Sequence, residues 1–145
     1  MMLPGTTRPI VPPDFANPLP VGCMDISLSS YFLMVHKLEN LSIHNVRDMN
    51  HHLKSSNVLF FWNSCNGQEV SQEAEFSLDA KPRNHFFPSR LVPRIPGKKR
   101  QLISVQKYFE TKYNIALSYP NSPLFREPSG SLYPIECVYV RIRLF

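Results

Sequence analysis

The chain lacks the features that mark most enzymes, metalloproteins and membrane proteins. Its three cysteines, Cys23, Cys65 and Cys137, are an odd and widely spaced set with no CxxC pair. That spacing argues against a zinc site and against a disulfide framework, and it fits a reducing compartment. No stretch approaches the length of a membrane span, and no basic region followed by an apolar run marks a signal peptide. Nucleophile elbow, phosphate loop and metal-ligand spacing are all missing. The expectation is therefore a protein that is not an enzyme and that needs no cofactor or metal. No internal repeat is visible. Acidic residues are also scarce in one place: from Lys81 to Lys112 nine Lys or Arg accompany a single acid, Glu110.

That local imbalance says more than the net charge of +5, which many soluble proteins share. From Asn66 to Ala80 the opposite holds, with Glu69, Glu73, Glu75 and Asp79 and no Lys or Arg. Positive charge is thus concentrated in one part of the chain, as a phosphate-tracking surface requires. Ten Phe, six Tyr and one Trp are too many aromatics for a solvating tail. The 145 residues, 43% hydrophobic, fit one domain and a tail. Fourteen prolines disfavour long helices and favour short strands joined by rigid turns.

Along the chain, residues 1–22 read as a proline-rich linker. Met24 to Ser29 alternates like a short strand. A helix is expected next, capped by Ser29 or Ser30, with Met34, Leu38 and Leu41 on one face. Asn40 to His52 is polar and irregular, and its His44, His51 and His52 are expected to be solvated. Val58 to Trp62 is a continuous apolar run of strand length, and Glu75 to Asp79 alternates as a half-exposed strand. Lys81 to Asn84 reads as a turn. Phe86-Phe87-Pro88, Leu91-Val92-Pro93 and Ile95-Pro96-Gly97 read as short strands with breaks. Ser104 caps a helix that places Val105, Tyr108, Phe109 and Tyr113 on one face. Ile135 to Phe145 is strand-like. Many short strands with proline breaks favour a small β-barrel decorated by helices.

From Ser104 the residues Val105, Tyr108-Phe109, Lys112-Tyr113-Asn114, Leu117 and Tyr119-Pro120 to Pro123 follow the pattern V-x-x-Y-F-x-x-K-Y-N-x-x-L-x-Y-P-x-x-P. The stretch resembles the PAZ domain of Argonaute proteins. Leu132-Tyr133-Pro134-Ile135-Glu136-Cys137 is similar to the Y-L-P-x-E-x-C segment of that domain, with Leu and Tyr exchanged. Phe87-Pro88 looks like its T-F-P step. Met24 to Phe32 resembles the linker strand that precedes the domain. The likeness runs from about residue 23 to about residue 140.

The resemblance implies an α+β, mainly β fold: a small OB-like β-barrel with an inserted hairpin-and-helix unit, preceded by a linker helix. It divides the chain into a linker over 1–22, a linker-like strand and helix over 23–52, and a PAZ-like domain over 53–145. It also implies a function, holding the 3′ end of a single-stranded small RNA in Argonaute-type gene silencing. The partners would be that RNA and other silencing-complex proteins, with no membrane, in the cytoplasm and with the nucleus as a second compartment. Unpaired bases stack on aromatic faces, and the 2′-hydroxyl marks RNA. Carried over by position, the RNA-binding residues are Phe87, Tyr108, Lys112, Tyr113, Ser131 and Tyr133, with Phe109 assigned to the core. The family's inserted hairpin carries a basic-aromatic run, and the matching region is read here as Ser71 to Glu75, which has neither. Glu73 and Glu75 would oppose phosphate, so a PAZ-like interaction module with little RNA affinity is the alternative. The chain stops at Phe145 where a strand should pair onward, which suggests an excerpt of a longer protein or a shortened relative.

Overall fold

Strand and helix choice follows from where the apolar residues fall and where the chain can be capped. The computed structural model describes residues 12, 19–33, 37–99 and 101–145. Most of the proline-rich stretch, Met34 and Arg100 lie outside them. The chain begins with β1 (Cys23–Ser27), α1 (Leu28–Leu33) and α2 (Ile43–Ser55). Strands β2 (Val58–Asn63), β3 (Glu69–Val70) and β4 (Glu75–Phe76) follow. Next come β5 (Phe86–Pro88), β6 (Leu102–Ser104) and α3 (Val105–Tyr113). Strands β7 (Phe125–Arg126) and β8 (Leu132–Tyr133), a 3-10 turn (Ile135–Cys137) and β9 (Val138–Arg143) complete it.

Among the described residues all strand pairs are antiparallel, in three sheets: β1-β9-β2-β3, β4-β7-β8 and the pair β5-β6. Among the described residues no ladder closes these sheets into a barrel. The architecture is a small, mainly β, mixed domain. In the largest sheet Ile26 faces Val140, which faces Phe61. This row supplies the core side of the pleat. On the other side Asp25 lies opposite Arg141 and holds it through both carboxylate oxygens, at 2.8 and 2.9 Å. The Arg141 guanidinium also lies 5.0 Å from the Phe60 ring centre.

One apolar cluster lies between this sheet, α1, α2 and the β4-β7-β8 sheet. Phe125 is its hub, with ring centres 5.0 Å from both Phe61 and Phe76. A second cluster gathers Val105, Phe109, Ile115, Leu117, Leu124 and Cys137 around α3, and Tyr133 packs against both clusters. Residues from 23–52 contribute Leu28, Phe32, Val46, Met49 and others to the first cluster. Among the described residues no helix is long and apolar enough to cross a membrane.

Several local expectations are corrected. The expected helix through Met34, Leu38 and Leu41 does not form as drawn. The cap is Ser27, whose Oγ accepts the Ser30 N–H at 3.1 Å, so α1 starts at Leu28. Its described part runs to Leu33, and Asn40 adopts φ 59°, which a helix running through to Leu41 cannot use. The polar stretch from Asn40 to His52 is largely helical. Ser42 and Asn45 form a capping box, and Val46, Met49 and Leu53 bury one side of α2. Only these three of its thirteen residues are buried apolar ones, so the periodic signal is thin.

The strand at Glu75 stops at Phe76. Ser77 Oγ turns back to accept the Ala80 N–H at 3.0 Å, a local bond that ends the extension. Residues 91–97 form turns, with Val92 N–H bonded to Ser89 O and Lys98 N–H to Ile95 O. Ile135 to Cys137 is a 3-10 turn, so the last strand begins at Val138. The strand at Phe86, the turn after Lys81 and the Ser104 cap stand as expected.

Phe125 is fully buried and joins two sheets. Phe125→Ala is expected to cost about 3–5 kcal/mol of unfolding free energy, read from the shift of the urea midpoint at unchanged slope.

Candidate functional site

The cleft is built by the second cluster's outer surface. Alternation along β5 sends Phe87 toward α3 and its neighbours the other way. α3 is capped at its start by Ser104, whose side chain accepts the Lys107 N–H, and at its end by Asn114 in the left-handed conformation (φ 52°). Its nine residues carry Tyr108 and Lys112 at i and i+4 and Phe109 and Tyr113 beside them. One ladder of rings results. Phe87 is 5.3 Å from Tyr108, Tyr108 is 5.6 Å from Phe109, and Phe109 is 5.5 Å from Tyr113. All three pairs are tilted by about 43–52°, a favourable aromatic arrangement. Phe109 is buried at 6% exposure, while Tyr108 and Tyr113 are half-buried.

Lys112 completes this wall. Its Nζ donates to the Tyr108 hydroxyl at 2.9 Å and lies 5.3 and 5.5 Å from the Tyr108 and Tyr113 ring centres. The hydrogen bond with Tyr108 raises the lysine's pKa, so the ammonium is held charged. Burial raises the Tyr113 phenol against the opposing pull of Lys112. The facing wall comes from β8 and the turn before it, where Gly130 takes φ 98° and Ser131 O accepts the Glu127 N–H. Tyr133 donates its hydroxyl to Glu127 Oε1 at 2.5 Å, and Glu127 Oε2 accepts the Ser71 N–H at 2.9 Å. Burial, then this bond, pushes the Tyr133 phenol far above the usual tyrosine value.

Between the walls lies an open cleft of about 410 Å³. All of the residues singled out from the sequence, Phe87, Tyr108, Lys112, Tyr113, Ser131 and Tyr133, line it. They come from β5, α3, β8 and the adjoining turn, so distant segments converge. Leu132 and Tyr133, exchanged relative to the family pattern, both line the cleft. Sequence reasoning missed His85, Asn63, Asn66 and Gln68, which line it too. His85 precedes Phe87 by two residues, and that period was a usable signal. The other three sit at the end of β2 and in the turn that follows, and nothing local reveals that they face α3.

The acidic stretch lies elsewhere. Ser71 to Glu75 is not a hairpin: β3 pairs with β2, and β4 pairs with β7 in another sheet. Glu75 bonds Lys54 at 3.2 Å beside α2, and neither it nor Glu73 lines the cleft. The antiparallel pair that adjoins α3 is β5-β6, whose connection holds Arg90, Arg94, Lys98 and Lys99, all exposed. Neither acid is therefore placed to oppose a charge held in the cleft. Of the histidines, His52 Nε2 meets the Tyr31 hydroxyl at 2.8 Å, and His44 lies 3.4 Å from Asp48. Among the described residues no group of His, Cys, Asp and Glu is arranged to hold a metal ion.

No family model matches the chain. It is similar to the protein argonaute of Schizosaccharomyces pombe (strain 972 / ATCC 24843), with 30% identity over 129 residues. The match takes in 81% of this chain and 15% of that protein, so the chain spans a small part of its relative's length.

The Tyr133 phenol gives a pH prediction. Its folded pKa is raised above the unfolded value of about 10, so its contribution to stability is complete below about pH 10 and is lost as pH rises further. Tyr133→Phe is expected to flatten the alkaline decline in urea stability, and an unchanged slope would refute the coupling.

Proposed function

We propose that the cleft holds the 3′ end of a single-stranded small RNA, as a PAZ-type module of Argonaute-like gene silencing. The observation that carries this reading is the convergence of Phe87, Tyr108, Lys112, Tyr113, Ser131 and Tyr133 on one open cleft. The similarity to an argonaute protein supports it. A terminal base has two free faces, and tilted rings at the mouth of a cleft offer surfaces on which it can stack. The Lys112 ammonium, held between two tyrosines, supplies charge for a terminal phosphate. Asn63, Asn66 and Gln68 add side-chain amides that can bond base edges or the 2′-hydroxyl.

In this reading the module is a binder and not an enzyme. It corresponds to 53–145, with the linker-like segment over 23–52 packed beneath it and 1–22 as a proline-rich lead-in. The largest sheet and the β4-β7-β8 sheet stand for the OB-like barrel, and β5, β6 and α3 for the inserted hairpin-and-helix unit. Other silencing-complex proteins are the expected partners and the cytoplasm the expected compartment, with the nucleus second.

Tyr108→Ala is expected to weaken binding of a short fluorescein-labelled single-stranded RNA by about 5- to 150-fold, the loss of one stacked base. Lys112→Gln is expected to lower the salt dependence by about one phosphate contact. Anisotropy titrations at several salt concentrations, with circular dichroism to check folding, give both numbers. A folded Tyr108→Ala protein with unchanged affinity would overturn the assignment.

A further inference from the structure

The β5-β6 pair has a second face. Phe87 points into the cleft, so its neighbour Phe86 points away, at 54% exposure. Phe86, Leu91, Val92 and Leu102 line a groove of about 360 Å³ with Lys107 at its side. The same division runs through α3, where Tyr108 and Lys112 line the cleft while Lys107 and Thr111 line the groove. No residue lines both. Of the lining residues, Phe86, Leu91 and Leu102 are 54%, 42% and 54% exposed. Scattered exposed apolar residues need no explanation, but a group of them along one groove marks a contact surface.

Charge and side-chain type define the occupant. The β5-β6 connection carries exposed Arg90, Arg94, Lys98 and Lys99, and Lys107 stands on α3. From Phe86 to Lys107 the sequence holds no Asp or Glu. Glu110, the nearest acid on α3, is engaged by the Leu117 N–H at 3.1 Å. An apolar groove lined by Lys107, on a stretch of chain rich in exposed cations and free of acids, favours negative charge with apolar anchors. Among the apolar lining only Phe86 has a ring, so a row of bases would find little to stack on, whereas aliphatic side chains fit the leucines. We propose that this groove docks an acidic peptide segment of a partner protein, anchored by aliphatic residues, on the face of the hairpin-and-helix unit opposite the cleft.

The test uses the full chain and a synthetic fluorescein-labelled peptide of alternating Glu and Leu. Peptides with Lys in place of Glu, or Ser in place of Leu, serve as controls, beside a short single-stranded oligouridine. The Glu-Leu peptide is expected to bind at least about fivefold more tightly than either control, the effect of losing an interface anchor. Leu102→Asp and, independently, the exposed Lys107→Glu are expected to weaken it by about as much and to leave oligouridine binding unchanged. Tyr108→Ala is expected to leave peptide binding unchanged, so failure of the RNA reading and failure of the groove are told apart. Peptide binding indifferent to both groove variants overturns the proposal. Oligouridine that displaces the peptide and is itself weakened by Leu102→Asp assigns the groove to nucleic acid instead. Self-association abolished by Leu102→Asp, without peptide binding, assigns it to a second copy of the chain.

Discussion

Three carboxylates hold the chain between α3 and β7, and the cleft depends on them. Glu110 accepts the Leu117 N–H, Glu136 accepts those of Ser118 and Tyr119 at 2.8 and 3.0 Å, and Glu39 accepts that of Asn121 at 2.7 Å. This segment pairs with no strand, so its donors would otherwise be left to water. Bonds from N–H to an ionised acceptor are shorter and stronger than neutral ones. Glu136 is 5% exposed, which removes competing solvent. The three anchors come from α3 itself, from the 3-10 turn before β9 and from the stretch between α1 and α2. They tie the return from the tyrosine helix to both ends of the domain.

Strand edges are managed by similar means. β4 is an edge strand of two residues, and its free side is met by the Asn50 amide. That amide donates to Phe76 O at 3.0 Å and accepts the Phe76 N–H at 2.6 Å, as a neighbouring strand would. α2 thereby substitutes for a missing strand, which lets so short a sheet persist beside the Phe61–Phe125–Phe76 ring contacts.

The parts of the fold legible in the sequence were those written in local chemistry. Ser104 followed by apolar residues at helical spacing located α3, and the apolar run at Val58 located β2. The cleft residues were legible only because a pattern of spacing around Tyr108 and Tyr133 resembled a known domain; periodicity alone would have sent Tyr108, Phe109 and Tyr113 together into the core. What stayed hidden was set by distant partners. Ser71 to Glu75 looks like a turn between strands, and nothing within it reveals that its two flanks belong to different sheets. α2 was obscured because Asn50 and His52 are polar for tertiary reasons, one bracing Phe76 and the other meeting Tyr31.

The β5-β6 ladder contains three residue pairs, Phe86 with Ser104, Phe87 with Ile103 and Pro88 with Leu102. Side chains alternate with a period of two, so a slip of one position would invert every one of them. Phe86 would then take the place of Phe87, and Leu102 that of Ile103. Ile103 is 7% exposed and Leu102 54%, so the slipped form would exchange a sheltered aliphatic for a wetted one. The burial of one isoleucine is therefore what keeps the two sides of this ribbon from trading identities.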